Sequence, residues 1–258
     1  MTSRSVDNNI KGRLALITGA SGGIGSAIAR NLHEAGCSLA LTYSTNPDSV
    51  NKLIQELTPS STAKQLISSH RVSMSSDPDL ESLLPAIHTH HSRHPDILIA
   101  NAGSAAYLPS LLDIPMSTFD ETIRINLRAP FYLTRLCAEH MISQKWGRIV
   151  YISSIAAYGG GINGAHYAAS KGGMQGMMRN LATRLAGDGV TVNDVSPAMI
   201  GGTGMIPDEE RVRGTPGDVK GIPVGRLGST GEVAGVVRML CETGYMTGQS
   251  VLISGGLK

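Results

Sequence analysis

Tyr167 and Lys171, within His166-Tyr167-Ala168-Ala169-Ser170-Lys171, have the types and spacing for proton transfer. Four residues apart on a helix, their side chains share one face and can reach a common point. A free tyrosine titrates near ~10 and is a poor acid or base at neutral pH. A nearby ammonium group stabilises the phenolate and draws that pKa toward the working range. Far upstream stands a glycine-rich turn, Thr18-Gly19-Ala20-Ser21-Gly22-Gly23-Ile24-Gly25. Gly19 permits a tight turn, Gly23 a close approach of backbone to a pyrophosphate, and Gly25 close packing of the following helix. The free N–H groups and partial positive charge of that helix's N-terminus suit phosphate.

The elements that must hold these residues follow from the hydrophobic pattern. Short β-rich runs alternate with amphipathic helical stretches, which predicts βαβ units and a parallel sheet. Strands are expected at Arg13–Thr18, Ser38–Tyr43, Lys64–Val72, Asp96–Asn101, Gly147–Ser153, Val190–Val195 and Ser250–Ser254. Helices are expected from the glycine turn to Ala35, then at Asp48–Leu57, Asp79–His91, Phe119–Ser143 and Ala165–Ala186. The fold class is thus α/β, a single doubly wound, Rossmann-type parallel sheet of about seven strands with helices on both faces. No linker or repeat divides residues 1–258, so one domain is expected. Its longest irregular segment, 197–229, follows the sixth strand at the edge where such sheets bind ligands, and reads as a substrate lid. Met199, Met205, Ile206, Ile222 and Pro223 in that segment suggest an apolar pocket.

Composition narrows the function class. A formal charge of +2 gives no basis for binding nucleic acid or an anionic membrane. No apolar run approaches the ~18 residues needed to span a bilayer. The first eleven residues carry charge without an apolar centre, unlike a secretory signal. Cys37, Cys137 and Cys241 are scattered and fit reduced thiols, so the expected location is cytoplasmic, a mitochondrial one staying open. His88, His90, His91 and His94 cluster at a helix exit without a carboxylate or thiol shell, so they read as a solvated helix end and no metal site is expected. Met174, Met177 and Met178, beside Gly172, Gly173 and Gly176, read as a helix face packing on another subunit, with core packing the alternative.

Thr18-Gly-Ala-Ser-Gly-Gly-Ile-Gly25, Asn101-Ala-Gly103, Asn126 in Arg-Ile-Asn-Leu, Ser153-Ser154 and Tyr167-x-x-x-Lys171 occur in one order and spacing. In this the chain resembles the short-chain dehydrogenase/reductase family, over nearly its whole length. Among the branches it is most similar to NADPH-dependent 3-oxoacyl-carrier-protein reductases and the fungal ketone and naphthol reductases. The resemblance implies reduction of a ketone to a secondary alcohol by a catalytic tetrad. Tyr167 would protonate the carbonyl oxygen, and Lys171 would lower the tyrosine pKa and bind the nicotinamide ribose beside it. Ser154 would orient the carbonyl, with Ser153 its rival, and Asn126 would hold a water linking Lys171 to solvent. Gly19, Ser21, Gly23, Ile24 and Gly25 would cradle the phosphates, and Asn101, Ala102 and Gly103 would support the adenosine. Pro197 and Ile200 would meet the nicotinamide carboxamide, and Thr203 a cofactor phosphate. A homotetramer or homodimer is also implied, as is a small carbonyl substrate.

Departures from the family pattern matter too. At the end of the second strand Tyr43, Ser44 and Thr45 offer hydroxyls with no carboxylate before Asp48, which favours NADP(H) over NAD(H). No arginine stands there or in the glycine turn, where Ser21 and Gly22 sit. Arg71 falls where relatives often place an adenine-binding aspartate, and Ala198 replaces a usual glycine. An NAD-dependent alcohol dehydrogenase, an epimerase or dehydratase, and a non-catalytic nucleotide sensor are the alternative readings.

Overall fold

Seven strands meet edge to edge in a computed structural model that describes residues 6–61, 65–159 and 161–257. They are β1 (Leu14–Ile17), β2 (Ser38–Tyr43), β3 (Ile67–Arg71), β4 (Ile97–Ala100), β5 (Gly147–Ile152), β6 (Val190–Pro197) and β7 (Ser250–Ile253). All pairings are parallel, and the spatial order is β3-β2-β1-β4-β5-β6-β7. Strands buried on both faces need continuous apolar sequence rather than alternation, and Leu-Ala-Leu-Ile in β1 is buried at every position.

One face of the sheet is covered by α1 (Gly23–Glu34), α2 (Pro47–Leu57) and α7 (Thr230–Glu242), through Ile28, Leu32, Val50, Leu53, Val233 and Val237. The other is covered by α3 (Asp77–His91), α5 (Ala129–Ser143) and α6 (Ala165–Leu185), through Leu80, Leu83, Leu133, Cys137, Met174 and Met178. Local chemistry sets the helix starts. The Asn46 side chain accepts the Ser49 N–H ahead of Pro47, and the Ser76 side chain accepts the Asp79 N–H ahead of Pro78.

The doubly wound, seven-stranded expectation is met, with several differences of detail. The predicted start of the third strand at Lys64 lies outside the described residues. The sixth strand runs on to Pro197, because Pro197 pairs with Ile253. The single helix predicted over Phe119–Ser143 is three pieces: α4 (Met116–Ile123), a π-turn at Arg124–Arg128, and α5. Helix α7 was not foreseen, although Ser229 and Glu232 form a reciprocal capping box ahead of Val233, Val237 and Leu240. Met174 and Met178 are fully buried against Ile149, Val190 and Val192, so they are core residues rather than an intersubunit face. His91 is buried and its Nε2 lies 2.8 Å from the Ser68 hydroxyl, so only part of the histidine cluster is solvated. Among the described residues no helix is long and apolar enough to cross a membrane, and no three His, Cys, Asp or Glu side chains gather as a metal site would need. All three cysteines are buried and free.

Residues 198–229 are a folded excursion. Gly201 N–H donates to Gly228 and Gly228 N–H to Met199, which clips the base shut. Ile206 and Ile222 are 8% and 4% exposed, and Ile222 lies against Gly255 of the C-terminal segment. Val224 N–H donates to Gly255 at 3.0 Å, tying the far end to the C-terminal segment.

Candidate active site

The strand order reverses between β1 and β4, the place where sheets of this kind bind their ligands. Gly19, first after Thr18, has φ of +66° and its N–H donates to the Thr42 hydroxyl. Asn101, leaving β4, reaches back with its Nδ2 to the carbonyls of Thr18 and Gly19 at 2.8 and 3.1 Å. The Thr18 hydroxyl in turn accepts the N–H groups of Asn101 and Ala102. Asn101 and Thr18 therefore brace the ends of the two strands, a role for Thr18 that its place in the motif did not disclose.

The glycines in the turn answer to specific neighbours. A Cβ on Gly25 would lie 2.4 Å from the Gly19 carbonyl and 2.8 Å from Asn101 Nδ2, so helix α1 can approach only without one. A Cβ on Gly23 would lie 2.2 Å from the Gly202 carbonyl. Within the chain, the neighbour that requires a glycine at 23 is thus the segment after β6. Thr203 stands beside the same turn, its hydroxyl donating to Ile200 and accepting from Ile206 N–H. Helix α1 starts with neither a capping side chain nor an acidic residue in its first turn, leaving a cationic end for phosphate. These features fit a dinucleotide.

The catalytic candidates converge past the end of β5 and on the first turns of α6. Ser153 and Ser154 alternate, as consecutive extended residues do. Ser153 is buried with its hydroxyl toward the Lys171 carbonyl at 3.5 Å. Ser154 faces Tyr167, which separates it from its neighbour. Tyr167 and Lys171 are 6% and 3% exposed, with Nζ 5.6 Å from the phenol ring centre. Nζ donates to the Ile152 carbonyl at 2.8 Å. Burial pushes the Tyr167 phenol above its ordinary pKa, and a hydrogen bond with the Ser154 hydroxyl pulls it partly back. Burial also brings Lys171 down to about 8, opposed by Asp194. Of the two influences on the tyrosine, desolvation is the larger, and Lys171 is not among them.

Asn126 is fully buried in the π-turn. Its side chain accepts the Ser104 N–H at 2.8 Å and donates to the Ser104 carbonyl at 2.9 Å and to the Ser170 hydroxyl at 3.1 Å. Ser170 donates to the Tyr167 carbonyl at 2.7 Å, so Asn126 is coupled to the tyrosine's own helical turn. Gly103 completes the junction: a Cβ there would lie 3.3 Å from Asn126 Oδ1 and 3.7 Å from Lys171 Nζ.

Asp194 is a buried residue the sequence reading missed. Burial raises its pKa, while the Ser250 and Ser196 hydroxyls donate to Oδ1 and oppose that rise; Oδ2 has no partner among the described residues. Only its neighbours in space, not in sequence, mark it.

Sheet, glycine cradle and Tyr–Lys–Ser convergence together define a Rossmann-type nucleotide-binding protein. The chain belongs to the short chain dehydrogenase family, whose pattern it matches over residues 13–213. It is 35% identical over 255 residues to the 3-oxoacyl-(acyl-carrier-protein) reductase FabG of Rickettsia bellii, covering 96% of this chain and 98% of that one. The Escherichia coli FabG is 32% identical over 253 residues, with coverage of 96% and 98%. Among solved structures, a metagenomic blue fluorescent protein in complex with NADPH superposes with a TM-score of 0.86 at 30% identity, covering 96% of this chain and 98% of that one. A Beutenbergia cavernae protein described as an NAD(P)-dependent gluconate 5-dehydrogenase, with bound NADP, gives 0.84 at 29% identity with the same coverage. The protein is accordingly an oxidoreductase of this family.

Proposed function

We propose that the protein reduces a ketone to a secondary alcohol with NADPH. The observation that carries this is the meeting of Tyr167, Ser154 and Lys171 at the carboxyl edge of the sheet, beside the glycine cradle. The cofactor is NADP(H); when bound it supplies the hydride. Gly19, Ser21, Gly23, Ile24 and Gly25 hold its phosphates, and Asn101, Ala102 and Gly103 line the adenosine side. Tyr43, Ser44 and Thr45 flank the ribose, and Pro197, Ile200 and Thr203 approach from the segment after β6.

In this reading Tyr167 gives its phenolic proton to the carbonyl oxygen. Ser154 donates a hydrogen bond to the same oxygen, favouring the charge that develops there. The raised phenol pKa keeps Tyr167 protonated until substrate arrives, and the Lys171 charge then stabilises the phenolate left behind. Asn126 holds Ser104 and Ser170 in register around them and stands on the route by which Lys171 would recover a proton. NADP-bound and NADPH-bound structural relatives, and relatives named 3-oxoacyl reductases, support both cofactor and reaction.

The substrate is a ketone with an apolar flank. Tyr107, Leu111 and Leu112, after β4, and Met205, in the excursion, are exposed apolar side chains on segments that leave the sheet's carboxyl edge. The excursion acts as the lid. A second copy of the chain completes the assembly, seated on the apolar groove formed by Phe131, Ala138, Ile142, Leu181 and Leu185 of α5 and α6.

NADPH absorbance decay with a panel of ketones, including 3-oxoacyl thioesters, tests the reaction. Tyr167→Phe should lower kcat by about 10²- to 10⁴-fold, the usual contribution of a positioned general acid. Turnover surviving in that variant removes Tyr167 as the acid. Absence of turnover in both proteins, with nucleotide still bound, would favour a sensor.

A further inference from the structure

The places from which sequence first looks for a 2′-phosphate ligand hold no arginine: the loop after β2 is Ser44-Thr45-Asn46, and the glycine turn has Ser21 and Gly22. The sheet register brings one in from the next strand. β2 and β3 run parallel with Tyr43 opposite Arg71, and Val72 N–H donates to the Tyr43 carbonyl at 2.8 Å. The two strands therefore end together at the carboxyl edge. From there Arg71 leans across the end of β2, its Nε donating to the Ser44 carbonyl at 3.3 Å.

That single bond leaves the guanidinium's outer edge available. Arg71 is exposed, and its two Nη groups make no hydrogen bond to the described residues. Its charge is felt by Asp79, which is held below the ordinary carboxylate range first by Ser73 N–H, then by the Ser76 hydroxyl, and least by Arg71. Among the described residues the two form no ion pair. The first carboxylate after β2 is Asp48, in the opening turn of α2, where it faces that helix's positive end. The end of β2 thus presents a pinned guanidinium beside two hydroxyl-bearing residues, without an anion in the strand-end loop.

We propose that Arg71 anchors the 2′-phosphate and is the residue by which this protein selects NADP(H) over NAD(H); this rests on the reading of the protein as NADP(H)-dependent. A dianionic phosphate suits a planar fork whose Nε is already fixed, because two parallel charge-assisted bonds form with little further ordering. Ser44 and Thr45 add neutral donors on the same side. Arg71, where relatives often place an adenine-binding aspartate, instead reaches across the end of β2, which would let a strand end without its own arginine favour the phosphorylated cofactor.

Isothermal titration with 2′,5′-ADP and with 5′-AMP isolates the phosphate without any turnover. The native protein should bind 2′,5′-ADP at least about tenfold more tightly, and the preference should shrink as salt screens the exposed charge. Arg71→Gln should weaken 2′,5′-ADP about 10- to 100-fold, the range for hydrogen bonds to charged groups, and leave 5′-AMP unchanged. Arg71→Lys should fall between, keeping charge without the fork. A native protein that does not distinguish the two ligands overturns the NADP(H) reading itself. A native protein that distinguishes them while Arg71→Gln still does so overturns the assignment of Arg71 alone. Equal loss of both ligands in Arg71→Gln, with an unchanged thermal melt, returns Arg71 to the adenine and likewise overturns it.

Discussion

Lys171 carries a charge in a place where burial opposes it. Its ammonium is held at a pKa of about 8 by desolvation, against the support of Asp194, and one donor proton goes to the Ile152 carbonyl. An unfolded lysine titrates near ~10.4, so the chain binds more protons unfolded than folded between these values. Stability contributed through this group therefore rises with pH across that window. Below about pH 8 the whole penalty is present, roughly 3 kcal/mol at ~1.4 kcal/mol per pKa unit. Asp194 benefits from the same charge, so removing Lys171 returns only part of that. Lys171→Met should abolish reduction yet raise unfolding stability at pH 7 by about 1–2 kcal/mol, as for other buried charges replaced by apolar groups. Urea unfolding at pH 7 and pH 10 checks it. The gain should narrow at the higher pH, and a less stable variant at pH 7 would show that Lys171 is held by more than its chemistry.

At the scale of elements, the π-turn at Arg124–Arg128 places a buried amide where an uninterrupted helix would have continued its ladder. Asn126 then serves three partners at once, Ser104 twice and Ser170 once. Asn126→Ala should lower stability by about 1–3 kcal/mol for the buried groups left unpaired. It should also reduce kcat more than it alters KM, because the loop after β4 and the Tyr167 turn lose their common brace. Chemical denaturation and steady-state kinetics on one preparation test both halves; unchanged values would make Asn126 a bystander. Strands were more legible, because a doubly covered parallel strand is largely apolar, and β2 is recoverable residue for residue. The glycine turn and the Tyr–Lys spacing were legible for a related reason, since local backbone and helix geometry dictate them. The π-turn was not, because its backbone differs from helix only in hydrogen-bond spacing, and the Ser104 and Ser170 partners of Asn126 are distant in sequence. Arg71 and Asp194 were obscure on the same ground: their roles depend on the strands beside them. Helix α7 announced itself only through its capping box, behind a Gly- and Pro-rich stretch that reads as loop.

For the whole molecule, the two helices that flank β5 in sequence lie together on one face and share a groove. Phe131, Ala138 and Ile142 of α5 and Leu181 and Leu185 of α6 line it, with Thr134, Arg135 and Glu139 among them. Phe131 is 48% exposed, a large apolar surface on the protomer. A two-fold axis crossing α5 would lay this groove on its own copy and set each Arg135 opposite a Glu139, so one patch satisfies both its apolar and its charged parts. Sedimentation should give the native protein the mass of a dimer or tetramer, and Leu181→Glu should lower it by placing a carboxylate in the apolar contact. A monomeric native protein would remove the proposed assembly. The same helix carries Tyr167 and Lys171 near its start and Leu181 and Leu185 near its end, so the proposed contact would be joined to the candidate catalytic residues by one helix. Because association stabilises the folded state by mass action, the native melting temperature should climb with protein concentration. That of Leu181→Glu should not, and its reductase activity should fall on dilution at concentrations where the native enzyme keeps its own.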